Sequence, residues 1–347
     1  MNRNLTLLTL VCILALSFAL RFYHLTVNPP HLYLDEAAIA YDAHSINLTS
    51  KDQWGDLDPF LFRSFGDYKL PLYIYTVALS QRIFGFTDFA VRFPSALAGT
   101  LSVLFIFFMA KEIIWLAKDK FCATRFTWVN SAFPLIVALL LGISPWAIQF
   151  SRGGFEANVA LLFHILGSTF FLMAVRKNYW LLPLAIVFFA SAMYTYHSAT
   201  LTGPLVLVVL CLLVVRELLA HKLQLLVTIL TGLIVIAPYL PSYLLSAKGR
   251  VRFNSESVVH MPGNVLTNFT NNFVGNFTFD YLFFKGDQQG RHSVKKLGEL
   301  YLWQVVFVLG GLFFLLKYRS KATVIILLGL LISSIPPALT RVSPHAL

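Results

Sequence analysis

Apolar runs of 18 residues or more recur along this 347-residue chain and limit its fold more than any motif does. Roughly 18 to 20 apolar residues are needed to cross about 30 Å of hydrocarbon as a helix. A helix also satisfies its own backbone hydrogen bonds where no water can. Runs near residues 5–22, 90–115, 131–150, 156–175, 179–196, 199–217, 223–243, 299–317 and 322–340 predict an all-α, polytopic helical membrane protein with about nine transmembrane helices. With 57% hydrophobic and 12% charged residues, a soluble fold is excluded. The net charge of +11 then reads as basic cytoplasmic loops and not as a nucleic-acid surface. Cys12, Cys122 and Cys211 lie in or beside apolar runs with no metal-like spacing, so they read as small hydrophobes.

The first run carries Arg3 ahead of it, ends at Arg21 and lacks a small-residue cleavage site, which suits an uncleaved signal anchor. The run at 70–85 is apolar but short and contains Gln81 and Arg82. Placing it in the interface leaves every short inner loop basic: Lys111 to Arg125, Arg176-Lys177, Arg216 with Lys222, and Lys317-Arg319-Lys321. That parity puts two long loops, 23–89 and 242–298, on the outer face. Long loops commonly carry function. With no repeat and no linker, the chain reads as one membrane domain over 1–347; it stops directly after a span, so a C-terminal portion is expected to be absent.

The first long loop holds eight of the sixteen acidic residues, beginning with Asp35-Glu36 in NPPHLYLDEAAIAYDAHSI. The segment from Glu36 to Asn47 suits a short interfacial helix, in which Asp35 would act as N-cap and Glu36 would complement the dipole. The alternative is chemical, because a carboxylate at a dry, aromatic boundary can serve as general base or metal ligand. Lys69, in SFGDYKLPLYIY, could meet a phosphate or simply snorkel. In QFSRGGFEAN, Arg152 and Glu156 flank two glycines that would let a ligand approach the backbone, or would form a plain turn. His164 reads as a hydrogen-bonded packing residue near Asn158 and Ser168, and Tyr194, Tyr196 and His197 as an aromatic belt. Three glycosylation-like tripeptides, at Asn47, Asn268 and Asn276, carry little weight.

The order NPPHLYLDEAAIAYDAHSI, GDYKLPLYIY, GFTDFAVRFPSALAGTL and SRGGFEANVALL resembles the GT-C superfamily of integral-membrane glycosyltransferases, in its protein O-mannosyltransferase, ArnT and RgtA/B/C/D-like branch. The likeness covers residues 1 to about 245. It implies a sugar donor carried on a polyprenyl phosphate, a lipid, glycan or protein acceptor outside the cytoplasmic membrane, and transfer with inversion. Asp35 matches the first-loop catalytic aspartate and Glu36 its acidic neighbour, so both stand as catalytic candidates. Lys69 matches the lysine near the carrier phosphate, although the family's Glu-Lys-Pro becomes Asp67-Tyr68-Lys69-Leu70-Pro71. Glu156 matches an acidic residue at the start of the fourth span, offset by about one position. Arg341 and His345, in LTRVSPHAL, fall where polar residues face the carrier.

Bond breaking at a lipid phosphate needs cations at the leaving group and a base for the acceptor hydroxyl. Lys69, Arg152, Arg341 and His345 are the candidates for carrier-phosphate binding, Asp67, Tyr68 and Glu156 for substrate binding, and Asp35 for the base. The loop at 242–298, rich in Arg, Lys, Asn and aromatics, is a candidate lid. Some GT-C enzymes use a divalent metal, which Asp35-Glu36 would admit; the reading taken is a site without metal. A lipid transporter would be expected to show repeats and a midplane ion pair, which the sequence lacks. A silent membrane scaffold would keep the spans without needing the outer carboxylate.

Overall fold

The computed structural model describes residues 2–57, 59–117, 129–293 and 297–345. Cys122, Asp58 and the Lys118 to Arg125 part of the first basic loop lie outside the described residues.

All nine apolar runs are helical. The helices are α1 (Arg3–Phe22), α2 (Leu34–Thr49), α3 (Pro71–Phe84), α4 (Asp88–Ala117), α5 (Val129–Ile143), α6 (Pro145–Arg152), α7 (Glu156–Arg176), α8 (Leu182–Thr195), α9 (Ala199–Leu213), α10 (Val215–Ala220) and α11 (Lys222–Ile236). The second long loop contributes α12 (Ala247–Glu256) and α13 (Val265–Gly275). The chain then closes with α14 (Val305–Lys317), α15 (Lys321–Ser333) and α16 (Ile335–Ala338). Among the described residues, α1, α4, α7 and the α15–α16 segment are long and apolar enough to cross a membrane, and the α5–α6 pair makes a fifth span if counted as one. The other apolar helices are 10–17 residues long. The chain is a multi-pass membrane protein.

Burial follows from that class. Helix α14 buries no side chain, and Val306 and Phe307 are about 70% exposed. Such apolar exposure is tolerable only against lipid or a partner. The packed interior lies between α7, α8 and α4, with α2 and α3 laid against it through Ile39, Tyr73, Ile74 and Val77.

Helices α5 and α6 are bent by 55° at Ser144-Pro145. Proline at 145 has no N–H to give Leu141 O, so that carbonyl loses its helical donor. Arg21 replaces it: the guanidinium, fully buried, donates to Leu141 O, Gly142 O, Ser17 and Ser151 Oγ. A residue that reads from sequence as a flanking charge is thus a clamp for a broken helix. Gly99 on α4 allows the approach, because a Cβ there would stand 2.0 Å from Ser151 Oγ and 2.8 Å from Arg21 Nε.

The first long loop also departs from an all-helical expectation. Strands β1 (Phe62–Ser64) and β2 (Asp67–Lys69) form a hairpin in the register Phe62↔Lys69 and Ser64↔Asp67. Its two-residue turn, Phe65-Gly66, has positive φ at both positions, the requirement of a turn that matches strand twist. Overpacking at Gly99 should be costly: Gly99→Ala is expected to destabilise the fold by about 1–3 kcal/mol. The expected reading is a lower Tm in detergent, while Gly310→Ala, with nothing near its Cβ, leaves Tm unchanged.

Candidate active site

Asp35 and Glu36 are consecutive in the first turn of α2, yet the helix sends them to different places. Glu36 is fully buried. Its Oε1 accepts from Arg92 Nε at 2.9 Å and Gly154 N at 2.7 Å, and its Oε2 from Arg92 Nη2 at 3.1 Å and Tyr33 N at 3.1 Å. The last bond is half of a capping box, so the N-terminus of α2 is closed by Glu36 and Tyr33 and not by Asp35. Arg92, also fully buried, spends its other donors on Leu25 O, Pro29 O and His31 O. The expected catalytic part for Glu36 is corrected by this geometry, because both oxygens are saturated and turned away from the cavity.

The two glycines serve the same anchor. A Cβ on Gly154 would lie 3.1 Å from Glu36 Cγ, and one on Gly153 would strike the Phe155 ring at 2.6 Å. Their small size lets protein approach the backbone, where a ligand had been expected. Arg152 is corrected too: its guanidinium donates to Leu20, Tyr23, His24 and Asn28 carbonyls, capping the end of α1, so its donors are held away from any carrier phosphate.

Asp35 opens into a polar chamber of about 360 Å³. Lys69 Nζ bridges Asp35 Oδ1 at 3.1 Å and Glu156 Oε1 at 3.2 Å. Strand alternation explains the rest of the hairpin: Asp67 and Lys69 share one face and line the chamber, whereas Tyr68 points the other way. Tyr68 joins Leu61, Leu70, Met193 and Tyr239, so its expected substrate contact is corrected to packing. Glu156 begins α7. His345 lines the chamber with Nε2 on Thr340 Oγ1 at 2.9 Å, while Arg341 is exposed beside it and ties its backbone N–H to Glu256 O.

The second long loop supplies what the site motifs of the first 245 residues could not. Arg291 donates to Asp35 Oδ2 at 3.0 Å, and Arg252 to Asp67 Oδ2 at 2.6 Å. With Lys248 on Asp56, these pairs join the two loops, which therefore lie together. His197 bonds Tyr243 OH and Tyr68 O. His292 adds a buried imidazole on Asp287. Arg252 and Arg291 had been recognised only as members of a polar, aromatic loop, and His292 not at all. His164, inside α7, bonds Ala160 O and Thr202, not Asn158.

The charges shape the protonation states. Burial opposes the Lys69 ammonium, but Glu156 and Asp35 outweigh it and hold the group above its ordinary value. Arg252 is likewise raised, burial being overcome by Tyr196, Asp67 and Glu156. Burial lowers His197 well below its usual range, with Arg252 and Lys69 adding to the effect, and pushes His345 down to about 4. Among the described residues no group of three His, Cys, Asp or Glu side chains is placed to hold a metal.

Residues 69–117, from Lys69 through α4, match the dolichyl-phosphate-mannose-protein mannosyltransferase family. The fold is similar to that of ArnT from Cupriavidus metallidurans bound to undecaprenyl phosphate, at TM-score 0.54 and 15% identity, over 99% of this chain and 61% of that one. It is also similar to the Archaeoglobus fulgidus oligosaccharyltransferase in the apo form, at TM-score 0.55 and 14% identity, over 97% and 50%. The same enzyme has been seen in complex with an inhibitory peptide and a dolichol-phosphate. The chain spans about 60% of the length of ArnT and half that of the oligosaccharyltransferase. Curated protein sequences give no match. The GT-C resemblance carried by the sequence is thus borne out at the level of the fold and of this central segment.

Removing one partner of the buried pair, as in Glu36→Gln, should cost about 3–5 kcal/mol and appear as a large drop in Tm. A second outcome concerns acid. His345 is depressed in the folded chain, so below about pH 6.5 the unfolded chain binds the extra proton and stability falls as pH drops toward 4. His345→Gln should make Tm less sensitive to pH in that window.

Proposed function

We propose that the chain is a membrane glycosyltransferase that takes a sugar from a polyprenyl-phosphate donor and transfers it, with inversion, to an acceptor at the outer face. One observation carries the reading: Lys69 lies between Asp35 and Glu156 in a polar chamber that adjoins an apolar cavity of about 520 Å³. The two share Tyr196, Ser198 and His345 in their walls. A lipid-linked sugar phosphate needs that pairing of surfaces, with a dry trough for isoprenoid, cations for phosphate and polar groups for sugar. The fold and the match over residues 69–117 support it.

Asp35 is the general base. Its two oxygens face different cations, and Arg291, at 44% side-chain exposure against 12% for Lys69, is the partner with room to give way to an acceptor hydroxyl. Proton transfer to Asp35 then accompanies attack on the anomeric carbon from the side opposite the phosphate. Lys69, with Arg252 and Arg291, stabilises the charge that collects on the leaving phosphate. Asp67 and Glu156 hold these cations in place and bound the sugar. The reading uses no metal, and the outward face follows from the basic inner loops. An acceptor at that face is a lipid, glycan or protein hydroxyl.

The test is transfer of radiolabelled sugar from a panel of polyprenyl-phosphate donors to membrane-extract acceptors. Asp35→Asn is expected to lower kcat by about 10²–10⁴ with donor binding retained. Lys69→Ala is expected to weaken donor binding, and the product should carry the anomeric configuration opposite to the donor's. Equal turnover by Asp35→Asn would remove the base. Absence of both turnover and donor binding would favour a transporter or a silent scaffold.

A further inference from the structure

The described charges of the chamber are already engaged with one another. Its described wall contains four carboxylates, Asp35, Asp67, Glu156 and Glu256, and the permanent cations Lys69, Arg252 and Arg291. Each of those cations is in contact with a carboxylate. A phosphodiester entering such a site would share these cations with carboxylates while its negative charge grows from one to two as the sugar departs. A further donor on that wall would add to what they supply.

Three histidines line the chamber. His197 has both ring nitrogens bonded, to Tyr243 OH and Tyr68 O. His345 has Nε2 on Thr340. Burial and neighbouring cations keep these two neutral at physiological pH. His292 is built differently. Its Nδ1 is 2.8 Å from Asp287 Oδ2, and the pair is almost wholly buried, at 2% and 1% side-chain exposure. Asp287 is itself fixed: Oδ1 accepts from Gln289 N, its own N–H donates to Glu299 Oε1, and its carbonyl takes the Ser293 hydroxyl.

The other ring nitrogen of His292, Nε2, is buried and has no hydrogen-bond partner among the described residues. A buried polar atom left in that state costs free energy, which a ligand atom bonded to it would recover. The groups around the ring are Phe150 of α6 at 5.7 Å and Phe155, ahead of α7, at 5.8 Å. His345 and the adjoining Arg291 complete the charged surroundings. Asp287 is the carboxylate in contact with the ring and fixes its orientation through Nδ1.

We propose that His292 is a further catalytic residue of this site, held by Asp287 and donating from Nε2 to the carrier phosphate. It rests on the polyprenyl-phosphate reading given above. The bond from the anomeric carbon to the phosphate oxygen breaks, and its electron pair stays on that oxygen. The acceptor oxygen bonds to the anomeric carbon and loses its proton to Asp35. The Nε2 proton is shared with the departing phosphate, whose hydrogen bond strengthens as its charge grows.

The test uses the full chain in lipid nanodiscs with a polyprenyl methyl phosphate, a diester that stays a monoanion. Wild type should bind it about tenfold more tightly than His292→Gln, the scale of one charge-assisted hydrogen bond. Asp287→Asn, which leaves the ring unanchored, should bind it as weakly; both variants break a nearly buried pair and melt lower than wild type, so binding is compared at a temperature where each is folded. In transfer assays His292→Gln should lower kcat about tenfold or more and leave KM for the acceptor unchanged. Binding and turnover by His292→Gln equal to those of wild type would overturn the role while leaving the transferase reading intact. A wild type that neither binds the diester nor transfers sugar would overturn both.

Discussion

The buried Glu36–Arg92 pair holds this structure's outer end together. A guanidinium and a carboxylate with no exposure are tolerable only when every donor and acceptor is matched, and here they are. The partners come from three stretches far apart in sequence: the α1–α2 connection with the start of α2, α4, and the glycine turn before α7. Fixing the third residue of α2 also fixes the rotation of its first turn. Asp35, one residue earlier and about 100° around the helix, is thereby aimed into the chamber. The buried carboxylate sets the direction of the one that lines the chamber.

The chamber is a mosaic of opposite charges and not a cationic patch. Lys69 between two carboxylates and Arg252 on Asp67 are stabilised in the charged form despite burial. Such pairs fix the orientation of the cations that line the chamber. Arg291 is the more exposed of these contacts and Lys69 the deeper.

Much of the fold was legible because hydrocarbon leaves few choices: an apolar run of 20 residues can hide its backbone only as a helix. The Asp35-Glu36 pair stood out for a related reason, since carboxylates beside a bilayer need partners. The different surroundings of the two were not legible, because they depend on Arg92, which reads as one more charge near a span. Arg152 and the two glycines misled for the same reason; their partners are backbone carbonyls and a neighbouring carboxylate that no local pattern announces. The hairpin at 62–69 was hidden because three-residue strands carry too few positions to show alternation. Arg252, Arg291 and His292 lay in a loop whose pairing with the first loop is a long-range fact, although Asp287 and His292, five residues apart, were a short-range hint.

Arg21 has a consequence for how the chain is made. Its partners at the α5–α6 break, Leu141 and Gly142, follow it by some 120 residues. When α1 enters the bilayer those carbonyls have not been synthesised, and an unpaired arginine within hydrocarbon costs about 2.5–3.5 kcal/mol on insertion scales. Arg21 stands one residue from the end of α1, so its long side chain can reach the headgroups and wait there. Only when the broken helix arrives can it leave the water and turn inward. The first helix therefore gains these buried partners for Arg21 only once the α5–α6 break is present.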